Sequence, residues 1–188
     1  MNADKLVIGL TGMPGSGKSI IIKAAQEEGY DVVTMGDVVR QETSLRGLEL
    51  TPANVGKVML ELRAAGGDSV IADICIPKIE QKQNPKIIVD GLRSYKEAET
   101  FQKYFAEFIL VTVHSSPQTR FERLFIRGRS DDPKTWEVFK ERDMRELGVG
   151  MGNSIALSEY VIINDRTEED LKATVAETLK RIEAKWIK

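Results

Sequence analysis

The stretch Gly12-Met13-Pro14-Gly15-Ser16-Gly17-Lys18-Ser19 fills every fixed position of the spacing G-x-x-x-x-G-K-[ST]. Those residue types in that order suit one chemistry, the holding of phosphate. Glycines let consecutive backbone N–H groups turn inward around phosphate oxygens, and the helix that follows adds the partial positive charge of its N-terminus. Lys18 then reaches the outer phosphates, and the Ser19 hydroxyl takes a place on Mg²⁺. The apolar run 6–10 reads as a buried strand and 18–28 as a helix, the context this motif needs. A glycine-rich turn that only joins strand to helix is the plain alternative, and the complete motif in the right context outweighs it.

Four further clusters carry charge where it could act. Asp90 closes the apolar run Ile87-Ile88-Val89, and a carboxylate facing the phosphate loop is what Mg²⁺ coordination calls for, directly or through water. Its plain alternative is a cap on the next helix. Arg93, three residues on, stands where the strand opens into a cleft and could grip a phosphate bidentately or be a surface charge. Asp37 and Arg40 follow the second strand three residues apart, on nearby helix faces, with a cap and a solvated charge as the alternatives. Arg120, Arg123 and Arg127 recur at i, i+3 and i+7 on one helix face, with Phe121, Leu124 and Phe125 on the apolar side. With Arg129 and the adjacent Asp131 and Asp132 they read as a phosphate clamp or a salt-bridged lid, against a solvated charged face. The glycine-rich stretch 146–154 follows a helix and no strand, and reads as a mobile hinge. His114, alone at a strand end, reads as packed or surface-exposed.

The elements that position these residues alternate. Strands are expected at 6–10, 31–34, 87–90, 108–114 and 160–164. Helices are expected at 18–28, 37–46, 52–65, 69–80 and 95–105, and then from Ser116-Pro117, from Asp132-Pro133 to about 147, and from Thr167 onward. Four of the strands are continuous apolar runs, which marks strands covered on both faces and hence a parallel α/β sheet. Right-handed crossovers place helices on both sides and ligands beyond the strands' C-terminal ends. The chemistry-bearing residues sit at those ends.

Composition bounds the rest. The 188 residues suit one domain with a proper core. Hydrophobic content of 41% and charged content of 30% suit a globular chain, and a net charge of −2 gives no support to nucleic-acid binding. Cys75 is the single cysteine, so no intramolecular disulfide can form, and its apolar neighbours make it a core residue. No apolar run approaches the length of a membrane span and the N-terminus lacks a signal pattern, so a cytoplasmic, membrane-free protein is expected.

These stretches together resemble the adenylate kinase and nucleoside monophosphate kinase family over most of the chain. Thr34-Met35-Gly36-Asp37-Val38-Val39-Arg40 resembles its S-T-G-D-x-x-R, whose arginine holds the acceptor phosphate. Asp90-Gly91-Leu92-Arg93-Ser94 resembles its D-G-x-P-R without the proline, and Arg127 to Pro133 resembles its lid, with Arg142 as a further lid arginine. The chain also resembles dephospho-coenzyme A kinase, through Asp37, Arg40 and the stretch 158–171. An archaeal group of adenylate-kinase-related P-loop proteins shares M-G-D-V-V-R, D-G-x-R-S and R-S-D-D. The resemblance implies a three-layer α/β/α P-loop NTPase fold with a five-stranded parallel sheet. It also implies a helical acceptor-binding insertion at about 35–82 and a short lid at about 126–150, within a single domain spanning 1–188. ATP and Mg²⁺ would lie over Gly12–Ser19, with Arg123 and Asn164 beside the nucleotide and Ser19 and Asp90 on the metal. Asp37, Arg40 and Arg93 would hold a small nucleotide-like acceptor, and Lys18, Arg93, Arg127 and Arg129 would stabilise charge in transfer. Phosphorylation of a hydroxyl and a regulatory ATPase are the competing expectations. A GTPase switch is excluded, because no D-x-x-G or N-K-x-D element occurs.

Overall fold

The computed structural model describes residues 2–129 and 132–186. Five strands, β1 (Asn2–Thr11), β2 (Asp31–Thr34), β3 (Lys86–Asp90), β4 (Phe105–His114) and β5 (Tyr160–Ile163), form one parallel sheet in the order β2-β3-β1-β4-β5. This is the expected α/β architecture. Alternate residues of β1 feed two separate cores. Val7 joins Ile87, Val89, Phe108 and Leu110 on one face, and Leu6, Ile8 and Leu10 join Ile88, Val111 and Ile162 on the other. A strand buried on both sides has no polar positions to spare, which is why it reads as an unbroken apolar run.

Helix α1 (Lys18–Glu27) and the C-terminal α9 (Glu168–Trp186) cover the second face through Ile21, Ala25, Leu171 and Val175. The first face is covered by α2 (Met35–Leu45), α3 (Pro52–Gly66) and α4 (Val70–Glu80), all between β2 and β3, and by α5 (Tyr95–Tyr104). Between β4 and β5 run α6 (Pro117–Arg127), α7 (Trp136–Gly148) and the short α8 (Met151–Ala156). From β1 the chain winds towards β2 on one side, and from β3 it crosses to β4 on the other. The crevice this reversal opens lies beyond the C-terminal end of β1. No helix among the described residues is long and apolar enough to cross a membrane.

Caps account for several boundaries. The Ser116 hydroxyl accepts from Thr119 N–H at 3.2 Å, with Pro117 opening α6. Ser94 and Glu97 form a reciprocal capping box on α5. Three expectations shift. β1 and β4 begin earlier than the apolar runs imply, at Asn2 and Phe105. Asp132-Pro133 does not open a helix; α7 begins at Trp136, and the Thr135 hydroxyl accepts from Val138 N–H. The glycine-rich stretch is a corner between two helices rather than a hinge. Gly150 takes a left-handed conformation (φ 104°), and Met151 and Ser154 are buried just beyond it.

Gly9 lies mid-strand in β1, and a β-carbon there would come within 2.7 Å of the Phe108 ring and 3.3 Å of Leu92. Gly9→Ala is therefore expected to destabilise the fold by about 1–3 kcal/mol through overpacking. Phe108→Leu in the same chain should recover part of that loss in denaturant melts. An unchanged midpoint for Gly9→Ala would show that the ring yields freely.

Candidate active site

A cleft of about 620 Å³ opens beyond the C-terminal ends of β1 and β3. Its floor is the loop between β1 and α1. Gly12, Gly15 and Gly17 all adopt positive φ (141°, 82° and 96°), a region other residues enter only with strain. The loop also leaves no room behind it. A β-carbon on Gly12 would strike the Val113 carbonyl, one on Gly15 would come within 2.7 Å of the Arg120 carbonyl, and one on Gly17 would strike the Asn164 amide.

Polar groups hold the loop from beneath. The buried Asn164 amide donates to Ser16 O at 2.8 Å, and the Ser115 hydroxyl donates to Asn164 O at 2.7 Å. Arg120 is buried, donates to Pro14 O at 3.2 Å and grips Asp143 with two nitrogens. Arg120, expected in a phosphate clamp or salt-bridged lid, is therefore a clip between loop, α6 and α7. Asn164, expected beside the nucleotide, does not line the cleft and spends its amide on the loop backbone. Arg123 does line the cleft, while donating to Ser115 Oγ at 2.8 Å and Asn164 O at 2.9 Å. Of the loop itself, Gly12 and Pro14 to Ser19 face the cleft, and Met13 is buried behind it.

Lys18 is half-buried and folds back over the loop, its Nζ donating to Gly12 O at 2.5 Å. Burial lowers its pKa from the ordinary 10.5 to about 8, against the pull of Asp90, which favours the charge. Asp90 lines the same cleft, and its Oδ1 is buried without a hydrogen-bond partner. Burial raises its pKa, opposed by Lys18 and Arg93. A buried carboxylate oxygen with nothing to bond is costly and marks a place where something else completes the site. The Ser19 hydroxyl, at the first turn of α1, faces the same space. One hydroxyl and one carboxylate suit Mg²⁺, which keeps waters and substrate oxygens for its remaining positions.

The arginines arrive from three directions. Arg93, after β3, donates from Nη1 to both carboxylate oxygens of Glu146 at 2.8 Å. Arg40, on α2, pairs with Asp37, with Nε 3.0 Å from Oδ1. Arg127 donates to the buried Asp132 from Nε at 2.9 Å and from Nη2 at 2.5 Å, and the Arg129 N–H donates to the same carboxylate at 3.0 Å. The Arg127 bonds hold the Asp132 pKa at about 2. Arg127, Arg129 and Arg142 all line the cleft. Asp131, expected beside Asp132, lies outside the described residues.

Asp37 is a correction of place. α2 starts at Met35 with Thr34 in the capping position, so Asp37 lies inside the first turn and caps nothing. Its side chain is 66% exposed and does not line the cleft. Glu146 is the residue that sequence reasoning passed over. It hid at the start of a glycine-rich stretch, and in the fold it lies in the last turn of α7, where it meets Arg93.

A second cavity of about 340 Å³ lies between α2, α3 and the start of α5. Gly36, Arg40, Gly91 and Arg93 line both spaces, so the two share a border that carries a pair of arginines.

Removing the Asn164 side chain strips the loop of its support from β5. Asn164→Ala is expected to cost about 1–3 kcal/mol in stability, the price of orphaning a buried carbonyl. Retention of wild-type melting behaviour would mean that Ser115 holds Ser16 O unaided.

A family model described as an AAA domain matches residues 11–140. A UPF0200 protein of Thermococcus onnurineus is 46% identical over 181 residues, covering 94% of this chain and 98% of that one. Another, from Methanocaldococcus jannaschii, is 50% identical over 167 residues, covering 88% and 84%. Among solved structures, shikimate kinase from Bacteroides thetaiotaomicron superposes with a TM-score of 0.65 at 17% identity, covering 93% of this chain and 98% of that one. Shikimate kinase from Acinetobacter baumannii, in complex with shikimate, also gives 0.65, at 12% identity, covering 98% and 96%. At such identity the likeness shows the fold alone, which is that of the P-loop kinases. The chain belongs to the UPF0200 family and, through residues 11–140, to the AAA domain family.

Proposed function

We propose that this protein is a small-molecule kinase that transfers the γ-phosphoryl group of ATP, bound with Mg²⁺ over Gly12–Ser19, to a nucleotide acceptor. The observation that carries this reading is the shared border of the two cavities. A protein that only hydrolyses ATP needs one cleft, whereas transfer needs two ligands end to end with cations where they meet. Arg40 and Arg93 stand at that border. The acceptor-binding segment is then about 35–82, with α2 and α3 forming its wall, and the lid is about 126–150.

In this reading, Lys18 leaves Gly12 O for the outer phosphates, and Ser19 and Asp90 hold Mg²⁺. Held there, the ion would supply positive charge to offset the negative charge of the phosphates. Arg93 exchanges Glu146 for the phosphoryl group in transit, while Arg127, Arg129 and Arg142 approach from the opposite wall. Catalysis is then positioning and charge stabilisation, with no bond made to the protein. A monophosphate acceptor presents an ionised oxygen and needs no base. The exposed Asp37 fits that case, because it does not line the cleft and so is not placed to take a proton from a hydroxyl acceptor there. A coupled assay decides between the classes: ADP formation that depends on an added nucleoside monophosphate supports the kinase, and acceptor-independent ADP formation supports an ATPase.

The lowered pKa of Lys18 gives a signed expectation. Lys18 carries its charge below about pH 8 and loses it above, so affinity for pyrophosphate should fall as pH rises through 8. Bound phosphate favours the charged form, so binding near pH 8 should take up a proton, seen by calorimetry in buffers of different ionisation enthalpy. Lys18→Ala should abolish the uptake and slow ATP turnover by about 10²-fold or more with the fold intact. Pyrophosphate affinity that stays flat across that range would remove Lys18 from the phosphate site.

Asp37→Asn should lower kcat by less than about tenfold, because Asp37 touches Arg40 and not the cleft. A loss of about 10²–10⁴-fold, with ATP binding unchanged, would make it a general base and the acceptor a hydroxyl.

A further inference from the structure

The second cavity is more specific than a gap between helices. Its walls are apolar, from Met35, Val39, Val55, Met59 and Ile71, and its polar end is formed by Arg63 and Glu97. Glu97 is 1% exposed and already engaged: it accepts from Arg63 Nη2 at 3.0 Å, Arg93 N–H at 2.8 Å and Ser94 N–H at 3.2 Å. That carboxylate is a bracket that fixes Arg63. The Arg63 side chain, 15% exposed, makes that one bond among the described residues, and its Nε is buried without a partner. A guanidinium carries five donors and no acceptor. The polar end of the cavity therefore asks for a hydrogen-bond acceptor.

A second, independent observation concerns Gly56. It sits in the interior of α3, where glycine is unfavourable by about 1 kcal/mol relative to alanine. Its φ is not positive, and a β-carbon placed on it meets nothing within 4 Å. Neither backbone conformation nor protein packing requires glycine there. Gly56 lines the second cavity, and the missing side chain leaves room for whatever enters.

We propose that Arg63, braced by Glu97, determines the acceptor's specificity by reading a carbonyl edge on a flat ring, with Gly56 making space for that ring. This rests on the kinase reading above and narrows its acceptor to a phosphate-bearing heterocycle with an oxo group at purine C6 or pyrimidine C4. The ring lies between the apolar walls, its phosphate reaches Arg40 and Arg93, and its oxo edge meets Arg63. A ring that turns an amino group to Arg63 sets donor against donor and leaves both unpaired. An arginine that meets an oxo edge with two donors discriminates strongly against the wrong ring.

The test is calorimetric titration of the full-length protein with GMP, IMP and UMP, which carry an oxo group at purine C6 or pyrimidine C4, and with AMP and CMP, which carry an amino group there, alongside ATP. At least one oxo monophosphate should bind about tenfold or more tightly than either amino one. Arg63→Lys, which keeps a cation beside Glu97 but loses the planar fork, should collapse that ratio while leaving ATP affinity unchanged. Gly56→Leu should stay folded, keep ATP affinity and lose all monophosphate binding. Equal binding of both classes, a preference for amino rings, a ratio that survives Arg63→Lys, or undiminished binding by Gly56→Leu would each overturn the inference, as would ATP binding with no monophosphate bound. Failure of ATP itself to bind the wild-type protein would instead bring down the kinase reading beneath it.

Discussion

Everything in this site depends on a bare backbone fitting closely against the ends of its neighbours. The loop after β1 lies so near the Val113 carbonyl, the Arg120 backbone and the Asn164 amide that a single β-carbon at Gly12, Gly15 or Gly17 has no place to go. Its carbonyls are occupied from behind, Ser16 O by Asn164 and Pro14 O by Arg120. The first N–H groups of α1 have no intrahelical partner and remain for a ligand at the helix end. The rest of the architecture follows from keeping that surface in place. β4 and β5 must end beneath the loop, α6 must start close beside it, and Asn164, Ser115 and Arg120 must be buried polar residues, costly unless fully bonded.

The arginines around this cleft are paired with unequal grip. Arg120 and Asp143 are nearly enclosed and matched bidentately, so breaking that pair would strand a buried charge at a cost of several kcal/mol, about 3–5 in comparable cases. That pair is structural. Arg127 is bound to Asp132, whose carboxylate is 1% exposed and also organises the turn at Arg129, so a ligand would have to share Arg127 rather than take it. Arg93 is 47% exposed, and the Arg40–Asp37 pair lies open to water, where such pairs contribute little. Replacing a carboxylate by a phosphate at these last two is an exchange of one anion for another. The arginines that release most easily are the two on the border between the cavities, where an acceptor and a moving phosphoryl group would need them.

β1, β3 and β4 were legible because strands covered on both faces leave no polar alternation. β2 and β5 were placed too, although Val161 and Ile163 leave one face of β5 open, and the bounds were missed at the starts of β1, β3 and β4 and at the ends of β1 and β5. The phosphate loop was legible because its fixed residues are consecutive. Asp90, Arg93, Arg40 and Arg127 were found because each follows a strand or shares a helix face with its neighbours. Partners of those residues were not legible. Glu146 lies 53 residues from Arg93 in the chain, and nothing local announces a contact between the end of α7 and the loop after β3. Asp37 was misplaced by two residues of helix onset, enough to change a cap into an exposed ion pair. Asn164 was placed at the right end of the right strand, but whether its side chain points into the cleft or under the loop depends on packing that periodicity does not encode.

Strand register joins the two halves of the site. β2 pairs with β3 in parallel with Thr34 opposite Asp90, at the last position of both strands. Immediately beyond that pair the chain turns into α2 on one side and into Gly91-Leu92-Arg93 on the other. Arg40 and Arg93 therefore emerge from neighbouring strand ends, although α3, α4 and β3 lie between them in sequence. A one-residue slip in that pairing would turn every side chain of β2 to the opposite face, burying Asp31 and Val32 in the wrong cores. The apolar residues that hold the register thus also fix the spacing between the two arginines. Asp90 stands at the same level, so the carboxylate of the first cavity and the arginines that open onto the second are set by one row of strand pairs.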